Sequence, residues 1–148
     1  MTIAVDFDGT IVEHRYPGIG APIPFAIETL LQLQKERHIL ILWSVREGRL
    51  LQEAVDYCAS KGLVFYAANK NHPEEEVEKA PRKLMADLFI DDRNLGGLPD
   101  WGVIYQVIQS AAQGQDISYE SMAKASAEKY VARKKKNFLI RLGEMFEK

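Results

Sequence analysis

Four short runs of apolar residues constrain the fold of this chain more than any other feature. Each run is nearly continuous in apolar character, which is typical of strands in a parallel sheet that is covered on both faces. A strand with one face in water would instead alternate apolar and polar residues. The four predicted strands are residues 3–5, 39–43, 63–67 and 88–90.

Helical patterns separate these predicted strands. Residues 24–37 and 47–61 repeat apolar side chains at helical spacing; Pro24 suits the first turn of a helix, and Gly62 ends the second one. A third helix is predicted to follow Asp100, whose side chain suits a helix cap. Because strands and helices alternate, we expect an open α/β sheet, in which ligands bind beyond the carboxyl ends of the strands.

The composition limits the kind of protein further. The chain has 148 residues, and its formal net charge of −2 gives no reason to expect specific nucleic-acid binding. Its single cysteine, Cys58, excludes an internal disulfide and lies among apolar helix positions, which predicts a buried thiol. No apolar run approaches the roughly 20 residues of a membrane helix, and no secretory signal is evident. We therefore expect a cytoplasmic protein that does not contact a membrane.

Polar side chains follow three of the four predicted strands. Asp6 and Asp8 come directly after the first strand and, two residues apart on an extended chain, point the same way. Two crowded carboxylates repel each other, so we expect a cation between them. Carboxylates suit Mg²⁺, whereas a hydroxyl and an ammonium group suit phosphate oxygens. The remaining candidates are Ser44 and Arg46 after the second strand, Asp91 and Asp92 after the fourth, and Lys83 shortly before the fourth.

This ordered set resembles the motifs of the haloacid dehalogenase (HAD) superfamily of phosphotransferases. Motif one is Asp-Phe-Asp-Gly-Thr at residues 6–10, motif two is Ser44, motif three is Lys83, and motif four is the pair Asp91 and Asp92. The resemblance implies a three-layer α/β/α Rossmann-like core with a parallel sheet and a short or absent cap. We expect that core at residues 1–117 and a C-terminal helical extension at residues 118–148.

The resemblance also implies a role for each candidate residue. Asp6 is the expected nucleophile, Asp8 the general acid and base, and Lys83 the group that neutralises charge in the transition state. The remaining expectations concern binding: Thr10, Ser44 and Arg46 for phosphate, and Asp6, Asp8 (through its backbone carbonyl), Asp91 and Asp92 for Mg²⁺. The sequence leaves open whether Asp91 or Asp92 is the inner metal ligand, and whether Lys79 or Lys70 replaces Lys83.

Only short loops stand where this superfamily carries cap domains, at residues 12–22 and 68–82. A capless site is open to large substrates unless another subunit closes it, so the expected substrate is a phosphorylated small molecule or macromolecule. Residues 118–148 carry an apolar stripe, which predicts packing on the core of the same chain or on a twin subunit in a homo-oligomer. For the basic run 133–136 we expect either a solvated face or a role in steering an anionic substrate toward the site.

The function predicted from the sequence is a Mg²⁺-dependent phosphomonoester hydrolase. Two alternatives stay open: a catalytically weak phosphate-binding or interaction protein that retains the pocket, and a phosphomutase. A mutase is disfavoured because it must hold its intermediate under a cap. Dehalogenation is disfavoured because superfamily members that only dehalogenate lack the second aspartate, here Asp8.

Overall fold

The computed structural model describes residues 1–118, 120–124 and 126–127, with the side chain of Val77 excepted. The chain divides into two compact units, Met1–Trp101 and Gly102–Lys148. The boundary predicted between residues 117 and 118 stays a prediction, since most of the segment beyond it lies outside the described residues. No helix in the described part of the chain has the length and apolar character that crossing a membrane requires.

The first unit is built on a four-stranded parallel sheet, so the chain has an α/β fold. The strands are β1 (Thr2–Val5), β2 (Ile39–Leu42), β3 (Ala67–Ala68) and β4 (Leu88–Ile90), in the spatial order β3-β2-β1-β4. All three pairings are parallel. The central strand β1 therefore has β2 on one side and β4 on the other, and polar residues after these three strands meet at one edge.

Two helices connect the first three strands. Helix α1 (Ala26–Lys35) buries Ala26, Thr29, Leu30 and Leu33, and helix α2 (Gly48–Ser60) buries Ala54 and Cys58. The predicted start of α1 at Pro24 is two residues early because Phe25 takes a left-handed conformation, with φ of 67°, before the helix begins. Cys58 is fully buried, as its apolar neighbours predicted.

The third strand is shorter than its apolar run. Only Ala67 and Ala68 pair with β2, whereas Val64 and Tyr66 leave 61% and 51% of their surface exposed. An edge strand with an exposed face does not need the continuous burial that the run 63–67 suggested. Between β3 and β4 the chain forms a single 3-10 turn, Val77–Lys79, and Leu84 then packs on Ala4 and Ile41 of the sheet.

The second unit contains most of helix α3 (Trp101–Ala112), which begins on the last residue of the first unit. Within the second unit, Val103 and Val107 of α3 pack against Ile117 and Met122. Residues 120–124 and 126–127 are helical. The remainder of the predicted extension over residues 118–148, including the basic run 133–136, lies outside the described residues.

Candidate metal and phosphate site

The turn that follows β1 places two carboxylates beside each other. The carbonyl of Phe7 accepts hydrogen bonds from the amides of Ile11 and Val12, at 3.0 and 3.1 Å, so the chain reverses directly after the strand. Gly9 allows this turn because its φ is +92°, a conformation that side chains disfavour. A Cβ at Gly9 would also collide with the carboxylate of Asp92. Glycine is therefore required here by both conformation and space.

Three carboxylates converge where β1 and β4 end. One oxygen from each of Asp6, Asp91 and Asp92 lies within 4.8 Å of the others. In the described part of the chain, none of the three forms an ion pair with a lysine or arginine. Oδ1 of Asp92 is buried without a hydrogen-bond partner among the described residues. Among the described residues, no basic side chain pairs with the negative charge of this cluster.

The Asp6 carboxyl responds to this environment. Burial is the main reason that its pKa rises from 3.8 to about 6, and the neighbouring charges of Asp91 and Asp92 act in the same direction. Hydrogen bonds from the Phe7 backbone and the Thr10 hydroxyl oppose the rise. A nearby cation would favour the ionised form and lower this pKa again.

Thr10 connects two members of the cluster. Its hydroxyl donates to Oδ2 of Asp6 at 3.2 Å and accepts from the Asp92 amide at 3.0 Å. Its carbonyl accepts from the indole N–H of Trp101 at 3.2 Å. The residue is fully buried, and its hydroxyl joins the Asp6 carboxylate to the backbone of Asp92. Its predicted contact with phosphate stays a prediction.

Asp8 has a different partner from Asp6. Arg46 donates from Nε to Asp8 Oδ2 at 2.6 Å and from Nη2 to Asp8 Oδ1 at 2.7 Å, which forms a bidentate ion pair. Arg46 is 0% exposed and Asp8 4% exposed. The structure therefore brings Asp8 and Arg46 together, whereas the sequence assigned them to separate tasks.

The loop after β1 closes over this ion pair. We call residues 13–21 the flap: its ends are joined by a hydrogen bond from the Glu13 amide to the Ala21 carbonyl at 2.8 Å. Arg46 also donates to the flap carbonyls of Pro17, at 3.0 Å, and Gly18, at 2.6 Å. A single guanidinium group thus binds both Asp8 and the flap.

Ser44 lies on the loop after β2, and the side chain of Asn69 holds this loop in place. Asn69 accepts from the Ser44 amide at 2.8 Å and donates to the carbonyls of Ser44 and Arg46, both at 2.9 Å. The Ser44 hydroxyl accepts from the Arg46 amide at 3.3 Å. Glu47, not Ser44, is the N-cap of α2, so capping does not explain the serine.

Asn69 is a site residue that the sequence reasoning missed. It directly follows β3 and has a φ of +54°, a left-handed conformation that asparagine tolerates better than most residues. A polar amide just after a predicted strand was the available signal. Its side chain ties the ends of β2 and β3 to each other and so shapes the loop that carries Ser44 and Arg46.

Lys83 lies on the chain that leads into β4. It is exposed, and its ammonium nitrogen lies 5.9 Å from the centre of the Phe89 ring. In the described part of the chain it makes no ion pair with the aspartates. Its two rivals are engaged elsewhere: Lys70 donates to the Pro73 carbonyl at 2.5 Å, and Lys79 pairs with Glu76 at 2.5 Å. The assignment of Lys83 stays a prediction.

The chain has a similar solved structure. It matches that of a conserved protein from Bacteroides thetaiotaomicron with 68% sequence identity and a TM-score of 0.72, over 75% of this chain and 91% of that one. No protein-family model and no curated protein matches the chain. At this identity and coverage, the chain belongs to the same family as the conserved protein from Bacteroides thetaiotaomicron.

Proposed function

We propose that this protein is a Mg²⁺-dependent phosphomonoester hydrolase of the haloacid dehalogenase superfamily, acting through Asp6. The observation that carries the proposal is the convergence of Asp6, Asp91 and Asp92 at the carboxyl edge of a parallel sheet. The strand order supports the finer assignment to a Rossmann-like core, because Asp6 follows the central strand and Asp91 follows its neighbour.

The residues present fit a magnesium ion. Carboxylate oxygens are the ligands that this hard cation prefers. Oδ1 of Asp92 has no hydrogen-bond partner among the described residues, and burial raises the pKa of Asp6 to about 6. The unpartnered oxygen of Asp92 and the raised pKa of Asp6 are both expected where carboxylates lie together without a cation. Asp6, Asp91 and Asp92 would hold the ion, which would offset the negative charge of a phosphate.

The reaction that suits this site has two steps. A carboxylate oxygen of Asp6 attacks the phosphorus of the ester, the bond from phosphorus to the leaving oxygen breaks, and that oxygen takes a proton from Asp8. A water molecule then attacks the phosphorus of the aspartyl-phosphate and gives its proton to Asp8. The bond from phosphorus to Asp6 breaks, which releases inorganic phosphate and restores both aspartates.

The partners of Asp8 bear on this scheme. Its contact with Arg46 is that of an ionised carboxylate, the form that accepts a proton from water in the second step. The first step needs the protonated form, which makes a weaker contact with a guanidinium. The two steps therefore place opposite demands on the pair of Asp8 and Arg46.

Lys83 is the favoured lysine in this proposal. Its ammonium group lies over the ring of Phe89. Asp91 comes two positions after Phe89 on an extended chain, so the side chains of Phe89 and Asp91 point to the same side of the sheet, where Lys83 also lies. The half-buried Ser44 hydroxyl is the favoured contact for a phosphate oxygen.

The test is hydrolysis of 4-nitrophenyl phosphate by the full chain, with Mg²⁺ and with a chelator. We expect turnover that needs Mg²⁺ and that Asp6→Asn reduces to the rate of the protein-free blank. Asp56→Asn is the matched control: Asp56 is exposed on α2 and bonded only to Gln52 in the described contacts, so this variant should keep full activity.

Three results would contradict the proposal. Turnover that persists in Asp6→Asn would show that Asp6 is not the nucleophile. Turnover in the presence of the chelator would show that the reaction does not need a metal ion. A native protein that binds inorganic phosphate in the presence of Mg²⁺ but hydrolyses no aryl, nucleotide or sugar phosphate would favour the phosphate-binding alternative.

A further inference from the structure

The guanidinium group of Arg46 is buried and extensively hydrogen-bonded. Its guanidinium group donates four: two to the Asp8 carboxylate and two to the carbonyls of Pro17 and Gly18 in the flap. The residue is 0% exposed, and the chain closes around it. A buried guanidinium is stable only when charge and donors are satisfied together, as they are here.

Aromatic rings complete the enclosure of Arg46. Its guanidinium carbon lies 5.0 Å from the centre of the Phe7 ring and 5.4 Å from that of Tyr16, which are cation–π distances. Phe7 belongs to the turn after β1, whereas Tyr16 belongs to the flap and is itself about half exposed. Tyr16 therefore covers Arg46 from the flap side.

We propose that Arg46 is a positioning residue that locks the flap and Asp8 into one arrangement, and that it does not bind phosphate. Four of the five N–H groups of its guanidinium donate to protein acceptors, which leaves one N–H of Nη1 for any other ligand. Those acceptors lie on the turn after β1 and on the flap. If the flap lifts, Arg46 loses two carbonyl acceptors and the Tyr16 ring, and water reaches the ion pair. If Asp8 moves, Arg46 loses the carboxylate that holds it beneath the flap.

The lock is first tested without any substrate. Trypsin can cleave after Arg15, which lies inside the flap, only when the flap opens and fits the active site of the protease. The rate of cleavage after Arg15 therefore reports the fraction of molecules in which the flap is open. Arg46→Lys keeps a positive charge but loses the bidentate geometry. We expect cleavage after Arg15 in the full chain to become at least tenfold faster, while cleavage after Lys61 changes less than twofold.

Two further variants complete this experiment. Asp8→Asn keeps the volume of the side chain and removes its charge, so it should also accelerate cleavage after Arg15 at least tenfold, even if Arg46→Lys fails to fold. Arg49→Lys is the matched control, because Arg49 makes an exposed ion pair with Glu53 at 2.6 Å on the surface of α2. The proposal is overturned if Asp8→Asn leaves the rate after Arg15 unchanged, or if all cleavage sites accelerate equally.

The kinetic part of the test rests on the proposed hydrolase function. With 4-nitrophenyl phosphate and Mg²⁺, Arg46→Lys should lower kcat at least tenfold and change KM less than twofold, because Asp8 loses its position but the phosphate loses no contact. A raised KM with an unchanged kcat would place Arg46 on the phosphate and overturn the proposal. If the native protein hydrolyses no phosphate ester, the hydrolase proposal fails, yet proteolysis still decides whether the lock exists.

Discussion

Asp6 and Asp8 are two residues apart, yet their carboxylates have opposite surroundings. Asp6 faces two other carboxylates, and burial raises its pKa to about 6. Asp8 is paired with a buried guanidinium through both of its oxygens. One aspartate therefore lacks positive charge and the other has it fully supplied. In the proposed hydrolase, Asp6 would belong to the group that holds the cation, whereas Asp8 would be held in place by the protein itself.

Gly9 gives a prediction at the scale of a single residue. In Gly9→Ala, the methyl group would meet the Asp92 carboxylate in addition to adopting an unfavourable φ of +92°. We expect a loss of about 2–3 kcal/mol in the free energy of unfolding, together with weaker Mg²⁺ binding, because Asp92 must move away. Urea unfolding and magnesium titration by calorimetry measure the two effects.

Gly62→Ala separates the effect of a positive φ from the effect of the collision with Asp92. Gly62 has a similar φ of +84°, but a methyl group there would meet only Leu31, at an ordinary contact distance of 4.0 Å. We expect a loss of about 1 kcal/mol and unchanged Mg²⁺ binding. Equal effects of the two substitutions on Mg²⁺ binding would mean that the approach of Gly9 to Asp92 has no part in the metal site.

At the scale of elements, the site depends on where strands end. Strand β1 pairs with β4 so that Val5 lies opposite Ile90, and Asp6 and Asp91 follow these two residues directly. Strand β2 pairs with β1 so that Leu42 lies opposite Val5, which brings Ser44 and Arg46 to the same edge. Register alone therefore assembles residues that are up to 85 positions apart in the sequence.

The segment before β4 takes part in the core although it has no regular secondary structure. Leu84 is 4% exposed and packs on Ala4 and Ile41, whereas its neighbour Met85 is 80% exposed. We expect Leu84→Ala to lower the free energy of unfolding by about 2–4 kcal/mol, because it leaves a cavity against the sheet. Met85→Ala, measured in the same urea titration, should stay within about 0.5 kcal/mol of the native protein. Similar losses in both variants would show that this segment does not cover the sheet.

At the scale of the whole molecule, periodicity predicted more of the fold than of the site. The strand at residues 88–90 and the α/β class are confirmed, because a continuous apolar run needs only local sequence to be recognised. The partnership of Asp8 with Arg46 and the bridge made by Asn69 were missed. Both join segments at least 23 residues apart, and no local pattern indicates which polar groups meet across a sheet edge.

The charge of the acidic cluster should make the stability of the protein depend on pH, and the proposed Mg²⁺ site predicts that this dependence changes with the ion. In the metal-free protein the pKa of Asp6 is about 6, compared with 3.8 for the unfolded chain. Between these values the folded state binds more protons, so the contribution of Asp6 to the free energy of unfolding is lost as pH rises from about 4 to about 6. The two pKa values set an upper limit of about 3 kcal/mol, which partial exposure of the carboxyl reduces to about 1–2 kcal/mol.

Magnesium should reverse this loss, because a cation binds the ionised carboxylates and competes with the proton. We expect Mg²⁺ to raise the urea midpoint strongly at pH 7 and weakly at pH 5, relative to the same buffers with a chelator. Asp6→Asn has no carboxylate to titrate at this position, so its stability should fall less between pH 4 and 6 and should respond little to Mg²⁺. An equal effect of Mg²⁺ at both pH values, or in both proteins, would mean that the ion acts elsewhere, since only a site that includes Asp6 connects the cation, the proton and folding in this way.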